Sequence, residues 1–276
     1  MVEKGEANMA QEAICHPWRG YVKPFRIFGN LYFIGTAPAS THLIDTGEGL
    51  ILIDSGYPQS LYLVIANLNE LGFSLKDLKY IVHSHGHYDH LGGTKALVEL
   101  TGAKTFLGKE DVPYANGTED LTWAKELGSD YYEAFEPDVA LSDGDVIRLG
   151  NTEILCKSAP GHTPGTMAFF FNVTDGKQTL RAAMHGGVGM NSMKKCFLDK
   201  YGLPTSIREQ FVPAIDRLMD EPVDIFLGNH VGNHDTVGKS LRMTEECNPF
   251  IDREAWKIFL QRTKEDYAKL LESEKE

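Results

Sequence analysis

The hydrophobic pattern of the chain contains short apolar, β-prone runs, which predict buried strands. Runs rich in β-branched and aromatic residues, bounded by Gly, Pro, Asn or Asp, are typical of such strands. These runs occupy residues 78–82, 146–149, 153–157, 167–173 and 223–227. The sequence Thr174-Asp175-Gly176-Lys177 predicts a hairpin turn directly after the fourth run.

Other segments space their apolar residues at intervals of three and four, which predicts amphipathic helices. We expect helices over residues 94–101, 120–135 and 206–220. A last helix is predicted to begin near Asn248-Pro249, because Asn is a good N-cap and Pro suits the first helical turn.

The order of these elements predicts the architecture. Two strand-rich halves with helices outside them indicate an α/β protein folded as an αβ/βα sandwich. Residues 1–24 are predicted to form an irregular arm, and residues 25–276 a single domain. The sequence contains no repeats and no low-complexity linker.

A cluster of metal-ligand side chains follows the first predicted strand, in the pattern H-x-H-x-D-H. It contains His85, His87, Asp89 and His90. Alternate side chains of an extended segment point the same way, so His85 and His87 can face one metal. Asp89 and His90 follow after the chain has begun to turn and can reach a second metal close by. Imidazole suits zinc, and this order of ligand types favours a metal site over a merely histidine-rich loop.

Two further histidines extend this pattern. His162 lies in a turn rich in Pro and Gly, where a fixed side chain makes a good third ligand for the first metal. His230 follows the predicted strand 223–227 and is flanked by glycines. A single histidine in either position more often has a structural role than a metal-binding one. The H-x-H-x-D-H cluster nevertheless favours a ligand role for both.

Charge and composition narrow the class of partner. The net charge is −12, and Lys194-Lys195 is the longest basic run. Nucleic-acid binding needs clustered Lys and Arg, so we expect a small-molecule substrate and no nucleic acid. The sequence shows neither an apolar signal region nor a segment long enough to span a membrane, which predicts a cytoplasmic protein, although a secreted mature form would look the same. Its four scattered cysteines fit reduced thiols, and nothing in the sequence indicates the oligomeric state.

The three histidine motifs together resemble the metallo-β-lactamase superfamily. They read H-S-H-G-H-Y-D-H-L-G-G, P-G-H-T-P-G and F-L-G-N-H, and residues 42–56 match the opening hairpin of that family. The similarity runs from about Phe25 to the C-terminal helix. It implies the metallo-β-lactamase fold, in which two mixed sheets carry helices on their outer faces.

The ligand set resembles the third subclass of metallo-β-lactamases. That resemblance implies two Zn²⁺ ions, the first held by His85, His87 and His162 and the second by Asp89, His90 and His230. It also implies a hydrolase that cleaves an amide or ester bond, in a β-lactam-like or lactone-like substrate, by a metal-bridging hydroxide. Asp89 is the expected catalytic residue, since it would orient that hydroxide.

The sequence also departs from its relatives. Residues 180–191 contain no aspartate, whereas glyoxalase II, quorum-sensing lactonases and tRNA-processing nucleases carry a metal-bridging aspartate there. Many third-subclass enzymes have serines in this stretch that hold a substrate carboxylate, but this chain has glycines. We therefore expect weak turnover of β-lactams. The candidate substrate contacts are Tyr131, Tyr132, His185, Gly186 and Asn191.

Three alternative functions stay open at this point. One is a thioester hydrolase of glyoxalase II type. Another is an iron-dependent oxidoreductase on the same fold, although flavo-diiron proteins have a glutamate where His87 stands and persulfide dioxygenases keep the missing aspartate. The third is a binding module with a degenerate site, which the intact set of six ligands disfavours.

Overall fold

The computed structural model describes residues 11–129 and 133–275. Two mixed β-sheets form its centre, as predicted. The first sheet has seven strands in the order β1-β2-β3-β4-β5-β6-β7, and the second has five in the order β12-β11-β10-β9-β8. Strands β4 to β7 are parallel, as are β11 and β12, and the other neighbours are antiparallel.

The strands of the first sheet are β1 Phe25–Phe28, β2 Leu31–Phe33, β3 His42–Asp45, β4 Leu50–Ile53, β5 Leu78–Val82, β6 Lys104–Gly108 and β7 Val139–Leu141. Those of the second are β8 Val146–Leu149, β9 Thr152–Ser158, β10 Met167–Thr174, β11 Thr179–His185 and β12 Ile225–Gly228. Residues 11–15 are helical, although they belong to the arm predicted to be irregular. The α-helices that follow in the described residues are α1 Leu61–Glu70, α2 Tyr88–Leu91, α3 Thr94–Thr101, α4 Val112–Ala115, α5 Lys195–Tyr201, α6 Ser206–Leu218, α7 Thr236–Leu241 and α8 Ala255–Ser273.

Side chains from both sheets meet in the main hydrophobic core. Strand β10 shows how the sequence specifies this layer, because side chains alternate between the two faces of a strand. Phe169 and Phe171 point into the core between the sheets, whereas Phe170 points to the helices outside. Five predicted strands and the hairpin turn after β10 are therefore confirmed, with shifts of one or two residues at some strand ends.

Helices cover the outer face of each sheet. Helices α1 and α3 pack on the first sheet through residues such as Val64 and Leu97, both buried. Helices α6 and α8 pack on the second through Phe211 and Trp256, which are also buried. The resulting four layers are the predicted αβ/βα sandwich. Among the described helices, none has both the length and the apolar composition needed to cross a bilayer.

The helix predicted over residues 120–135 is wrong. Residues 121–129 instead form bends and turns, and residues 133–135 are irregular. Trp123 has a φ of 69° and Gly128 a φ of 74°, which no right-handed helix accommodates. The Trp123 ring lies 4.5 Å from the ring of Phe197, so its aromatic character serves a tertiary contact rather than a helix face.

The last helix begins later than predicted, at Ala255 instead of Asn248. The Asn248 side chain accepts a hydrogen bond from the Phe250 N–H and donates one to the Ile27 carbonyl. Ile251 then forms a β-bridge with Ile225. Asn248 thus caps a turn that ties the chain to both sheets, and the helix starts only after this turn.

The carboxyl ends of the parallel strands gather at one edge of the sandwich. Strands β4, β5 and β6 of the first sheet end there, and β11 and β12 of the second sheet end opposite them. In open α/β sheets this edge is where ligands bind, and the loops that leave it carry all the predicted metal ligands.

Candidate metal centre

The loop after β5 brings its histidines into a group with His162. His85, His87 and His162 each offer a nitrogen, and the three nitrogens lie within 4.8 Å of one another. His162 comes from the turn between β9 and β10, so the group joins the two sheets. His85 and His87 are buried, with exposed fractions of 0% and 5%.

Hydrogen bonds fix which nitrogen carries the proton in two rings of this group, those of His85 and His162. His162 Nδ1 lies 2.6 Å from the Gly189 carbonyl oxygen, an acceptor, so Nδ1 is the donor. The Ser84 hydroxyl donates to Asp54, and its oxygen accepts from His85 Nδ1 at 3.0 Å. The Nε2 atoms of His85 and His162 therefore both carry lone pairs, and they face each other at 3.1 Å.

A second group, formed by Asp89, His90 and His230, also has histidines that donate from Nδ1 to an oxygen. His90 Nδ1 donates to Asp54 at 2.8 Å, and His230 Nδ1 donates to the Pro38 carbonyl at 2.7 Å. Their Nε2 atoms lie 3.2 Å apart. One oxygen of Asp89 is 3.2 Å from the first of these nitrogens and 3.6 Å from the second.

Each group points acceptor atoms at a common centre. Facing lone pairs repel unless a cation or a proton lies between them. Burial and then neighbouring histidines, led by His90, hold the pKa of His85 well below its usual range, which favours the neutral form that binds metals. Burial lowers the pKa of His90, but the carboxylates of Asp89 and Asp54 outweigh it and raise that pKa to about 10. The donor sets of both groups thus fit a cation.

The two groups adjoin each other. His85 also forms a group with Asp89 and His90, whose ligand atoms lie within 4.8 Å. The ring centroids of His85 and His90 are 4.2 Å apart. The arrangement therefore offers two neighbouring cation positions, and all six ligands predicted from the sequence meet at this one edge.

Asp54 is hydrogen-bonded to both groups, to His90 directly and to His85 through Ser84. It follows β4, is fully buried, and accepts hydrogen bonds from the Ser84 N–H and hydroxyl at 2.7 Å each, besides that from His90. Its φ of 60° is in the left-handed region, which costs a non-glycine residue of order 1–3 kcal/mol. Our sequence analysis did not single it out, although an aspartate directly after a buried strand could have signalled it.

Asp111 connects the two histidine loops. Its buried carboxylate accepts hydrogen bonds from the Gly86 N–H at 2.7 Å, the Gly165 N–H at 2.6 Å and the Thr163 hydroxyl at 2.6 Å. Gly86 lies between His85 and His87, and Thr163 follows His162. Sequence analysis missed this residue, because the charged run from Lys109 to Asp111 is typical of an exposed surface.

The glycine-rich stretch after β11 packs against His162 rather than forming a flexible substrate loop. A Cβ atom on Gly187 would overlap the His162 ring, and one on Gly189 would lie 2.9 Å from Cε1 of that ring. A Cβ on Gly186 would overlap the carbonyls of Met167 and Ser84. Glycine at these positions lets the backbone hold the imidazole closely.

A cavity of about 330 Å³ opens beside the first group. His87 and His162 line it, together with residues of α5 and of the start of α6. Of the predicted substrate contacts, His185 and Gly186 are buried and do not line the cavity. Asn191 is partly exposed and lies next to Ser192, which does line it. Tyr131 and Tyr132 lie outside the described residues.

Comparisons with known proteins agree with this geometry. Residues 34–175, about half of the chain, match the profile of the metallo-beta-lactamase superfamily. The FEZ-1 metallo-beta-lactamase of Legionella gormanii is 30% identical, with a TM-score of 0.84 over 93% of this chain and 98% of that one. The class B3 di-zinc metallo-beta-lactamase LRA-12 from an Alaskan soil metagenome is 28% identical, with a TM-score of 0.80 over 93% and 97%.

Sequence relatives are more diverse. The hydroxyacylglutathione hydrolase GloC of Haemophilus influenzae is 27% identical over 191 residues, which is 68% of this chain and 82% of that protein. An uncharacterized protein of Aquifex aeolicus is 36% identical over 127 residues, and the match spans 54% of that protein. The chain thus spans about half the length of this second relative.

The fold is an αβ/βα sandwich, and the site gathers six potential metal ligands at one edge of it. The chain belongs to the metallo-β-lactamase superfamily, and the solved structures reported above place it near the B3 subclass.

Proposed function

We propose that this protein is a di-zinc hydrolase that cleaves an amide or ester bond in a small acyl substrate. The observation that carries the proposal is the convergence of six potential ligand side chains into two adjoining groups, in each of which two histidine Nε2 atoms face one another. His85, His87 and His162 would hold one zinc ion, and Asp89, His90 and His230 the other. Imidazole and carboxylate ligands without a thiolate suit zinc.

Bound zinc supplies a Lewis acid that lowers the pKa of water to about 7 and polarises a carbonyl group. Asp89 lies at the boundary between the two groups and is 13% exposed, so its carboxylate can accept a hydrogen bond from the attacking water and orient it. Water adds across the acyl C–N or C–O bond, and the products are a carboxylic acid and an amine or an alcohol.

The cavity suggests where the substrate lies. His87 and His162 line one end of it, so the scissile carbonyl would sit against the first group with the rest of the acyl part inside the cavity. Among the described residues, those that line it include no Lys or Arg. This supports a lactone or another neutral ester or amide over a β-lactam, whose carboxylate would meet no cationic side chain.

A thioester is the second candidate substrate, because the chain resembles a hydroxyacylglutathione hydrolase over 68% of its length. A turnover screen of the zinc-loaded protein with a lactone, a thioester, a penicillin and a carbapenem separates these candidates. We expect the neutral lactone to be preferred, and a micromolar KM for the penicillin would instead indicate a β-lactamase.

Metal content tests the centre itself. We expect about two zinc ions per chain by elemental analysis, and His90→Ala should empty the second site first. Iron in the purified protein, or a single zinc ion that His90→Ala does not affect, would contradict the di-zinc proposal.

Asp89→Asn tests the chemistry. The substitution keeps the shape of the side chain but removes its charge and one of the two oxygens that can accept a hydrogen bond from the water. We expect kcat to fall by on the order of 10²-fold or more, with a smaller change in KM. Zinc content is measured in the same sample, and a normal kcat at full zinc occupancy would show that another group orients the water.

A further inference from the structure

We infer that the 330 Å³ cavity is an acyl site for an uncharged, apolar chain of limited length. This inference deepens the proposed hydrolase function and rests on it, because it names the substrate class of the same site. The cavity volume is at the lower end of the range of about 300–1,000 Å³ that is typical of small-molecule sites.

The apolar wall of the cavity consists of four side chains, and polar residues such as Ser206 and Gln210 line the cavity as well. Phe197 and Leu198 come from α5, Leu203 from the connection to α6, and Ile207 from the first turns of α6. Phe197 and Leu198 are buried, so the wall is part of the packed structure. Burial of apolar surface against these residues would favour a hydrocarbon chain.

Trp123 connects this wall to the metal centre. Its ring lies 4.5 Å from that of Phe197 and 5.6 Å from that of His87. Its φ of 69° is strained for a bulky side chain, and such strain often marks functional sites. The contact fixes the apolar wall relative to the ligand His87, so a chain on the wall would bring its carbonyl to the metal centre.

Charge disfavours an anionic substrate chain. Of the lining residues within the described parts of the chain, Glu110 carries a carboxylate and none is Lys or Arg. The lysines of the adjoining α5 already have partners, since Lys195 pairs with Asp199 and Lys200 with Glu126. A carboxylate in the cavity would lose hydration without gaining an ion pair, so the site selects neutral chains.

The first test compares two series of 4-nitrophenyl esters on the zinc-loaded full chain. One series carries neutral acyl chains of two to eight carbons, and the other has the same lengths with a terminal carboxylate. We expect kcat/KM to rise about fourfold per methylene until the cavity is full. The terminal carboxylate should reduce kcat/KM by about tenfold or more. A flat neutral series, or equal turnover of the charged series, would overturn the inference.

Cavity-filling variants test whether the dependence of kcat/KM on acyl-chain length arises in this cavity. Ile207→Trp should reduce the ratio of kcat/KM for octanoyl over acetyl ester by about tenfold, because the indole would occupy the chain's place. Leu203→Trp is a second variant, used if the first does not fold by circular dichroism. Ile258→Trp, at an exposed position of α8, is the matched control and should keep the parent ratio. An unchanged ratio in a folded cavity variant contradicts the inference.

A binding measurement separates this inference from the proposed function. Titration calorimetry of 1-octanol into the zinc-loaded protein needs no turnover. Binding that is lost in the folded Ile207 or Leu203 variant and kept in Ile258→Trp supports the acyl site even if no ester, lactone, amide or thioester is hydrolysed. In that case only the hydrolase proposal fails. Undetectable octanol binding, with ester hydrolysis intact and independent of chain length, overturns the acyl site alone.

Discussion

At the scale of single residues, the site depends on histidine rings that hydrogen bonds hold in place. Each histidine whose Nε2 faces a cation position donates from Nδ1 to an oxygen, of Ser84, Gly189, Asp54 or Pro38. Such partners fix the tautomer and the ring orientation of a ligand, and losing one typically costs 10–100-fold in metal affinity.

Gly187 offers a direct test of this positioning. In Gly187→Ala the new methyl group would overlap the His162 ring, whose Cγ would lie 3.0 Å from it, so the ring must move. We expect zinc affinity at the first site to fall by about 10–100-fold, measured by competition with a chromogenic chelator.

Gly232→Ala is the matched control, because an added Cβ there meets nothing within 4 Å. It should bind zinc like the parent protein. If Gly187→Ala also binds zinc with parental affinity while folded, the close packing of Gly187 on His162 has no role in the metal centre.

At the scale of elements, the buried carboxylate of Asp111 joins loops of the two sheets. Asp111 precedes α4 and holds the loop after β5 against the turn between β9 and β10. A hydrogen bond to a charged group contributes about 1.5–3 kcal/mol, and three such bonds converge on this side chain.

Asp111→Asn should weaken the contact between the loop after β5 and the turn between β9 and β10. The amide NH₂ would face one of the backbone N–H donors, so a hydrogen bond is lost and the charge assistance of the others disappears. We expect a stability loss of about 1–3 kcal/mol in urea denaturation and about tenfold weaker zinc binding.

Asp138→Asn separates positioning from general destabilisation. Asp138 accepts hydrogen bonds from the Thr105 N–H and hydroxyl at the opposite end of β6. This control should lose stability without losing zinc affinity. Equal zinc affinity in both variants would show that Asp111 acts on the fold alone.

At the scale of the whole molecule, the proposed metals bridge the two halves of the sandwich. His85, His87, Asp89 and His90 follow a strand of the first sheet, whereas His162 and His230 follow strands of the second. A ligand that binds the folded state alone stabilises it by about 2.7 kcal/mol at 100 times its Kd.

Removal of zinc should therefore lower the melting temperature. For a chain of this size about 1 kcal/mol corresponds to roughly 2–4 °C, so we expect a fall of about 5–10 °C with excess chelator. Differential scanning calorimetry measures it, and added zinc should restore the parent value. A melting temperature that the chelator leaves unchanged would contradict a metal bridge between the sheets.

The sequence alone determined the features that depend on short stretches of chain. Strand β10 is recognisable because it is a nearly continuous apolar and aromatic run that the Asp175-Gly176 turn ends, and α3 because Gly102 ends it in the left-handed conformation. The ligands of the H-x-H-x-D-H motif are recognisable because four donors lie within six residues. The family resemblance then predicted the sandwich and added His162 and His230 to the ligand set.

Only the tertiary structure decided the features that join distant parts of the chain. Asp111 and Gly165 are 54 residues apart, so no local pattern reveals their hydrogen bond. Trp123 adopts a positive φ and stacks on Phe197, and Asn248 caps a turn bonded to Ile27, so local helix propensity was overridden in both places. The glycines after β11 likewise show their purpose only when the His162 ring lies against them. Propensity and periodicity describe neighbours in sequence, whereas packing and hydrogen bonding between loops depend on neighbours in space.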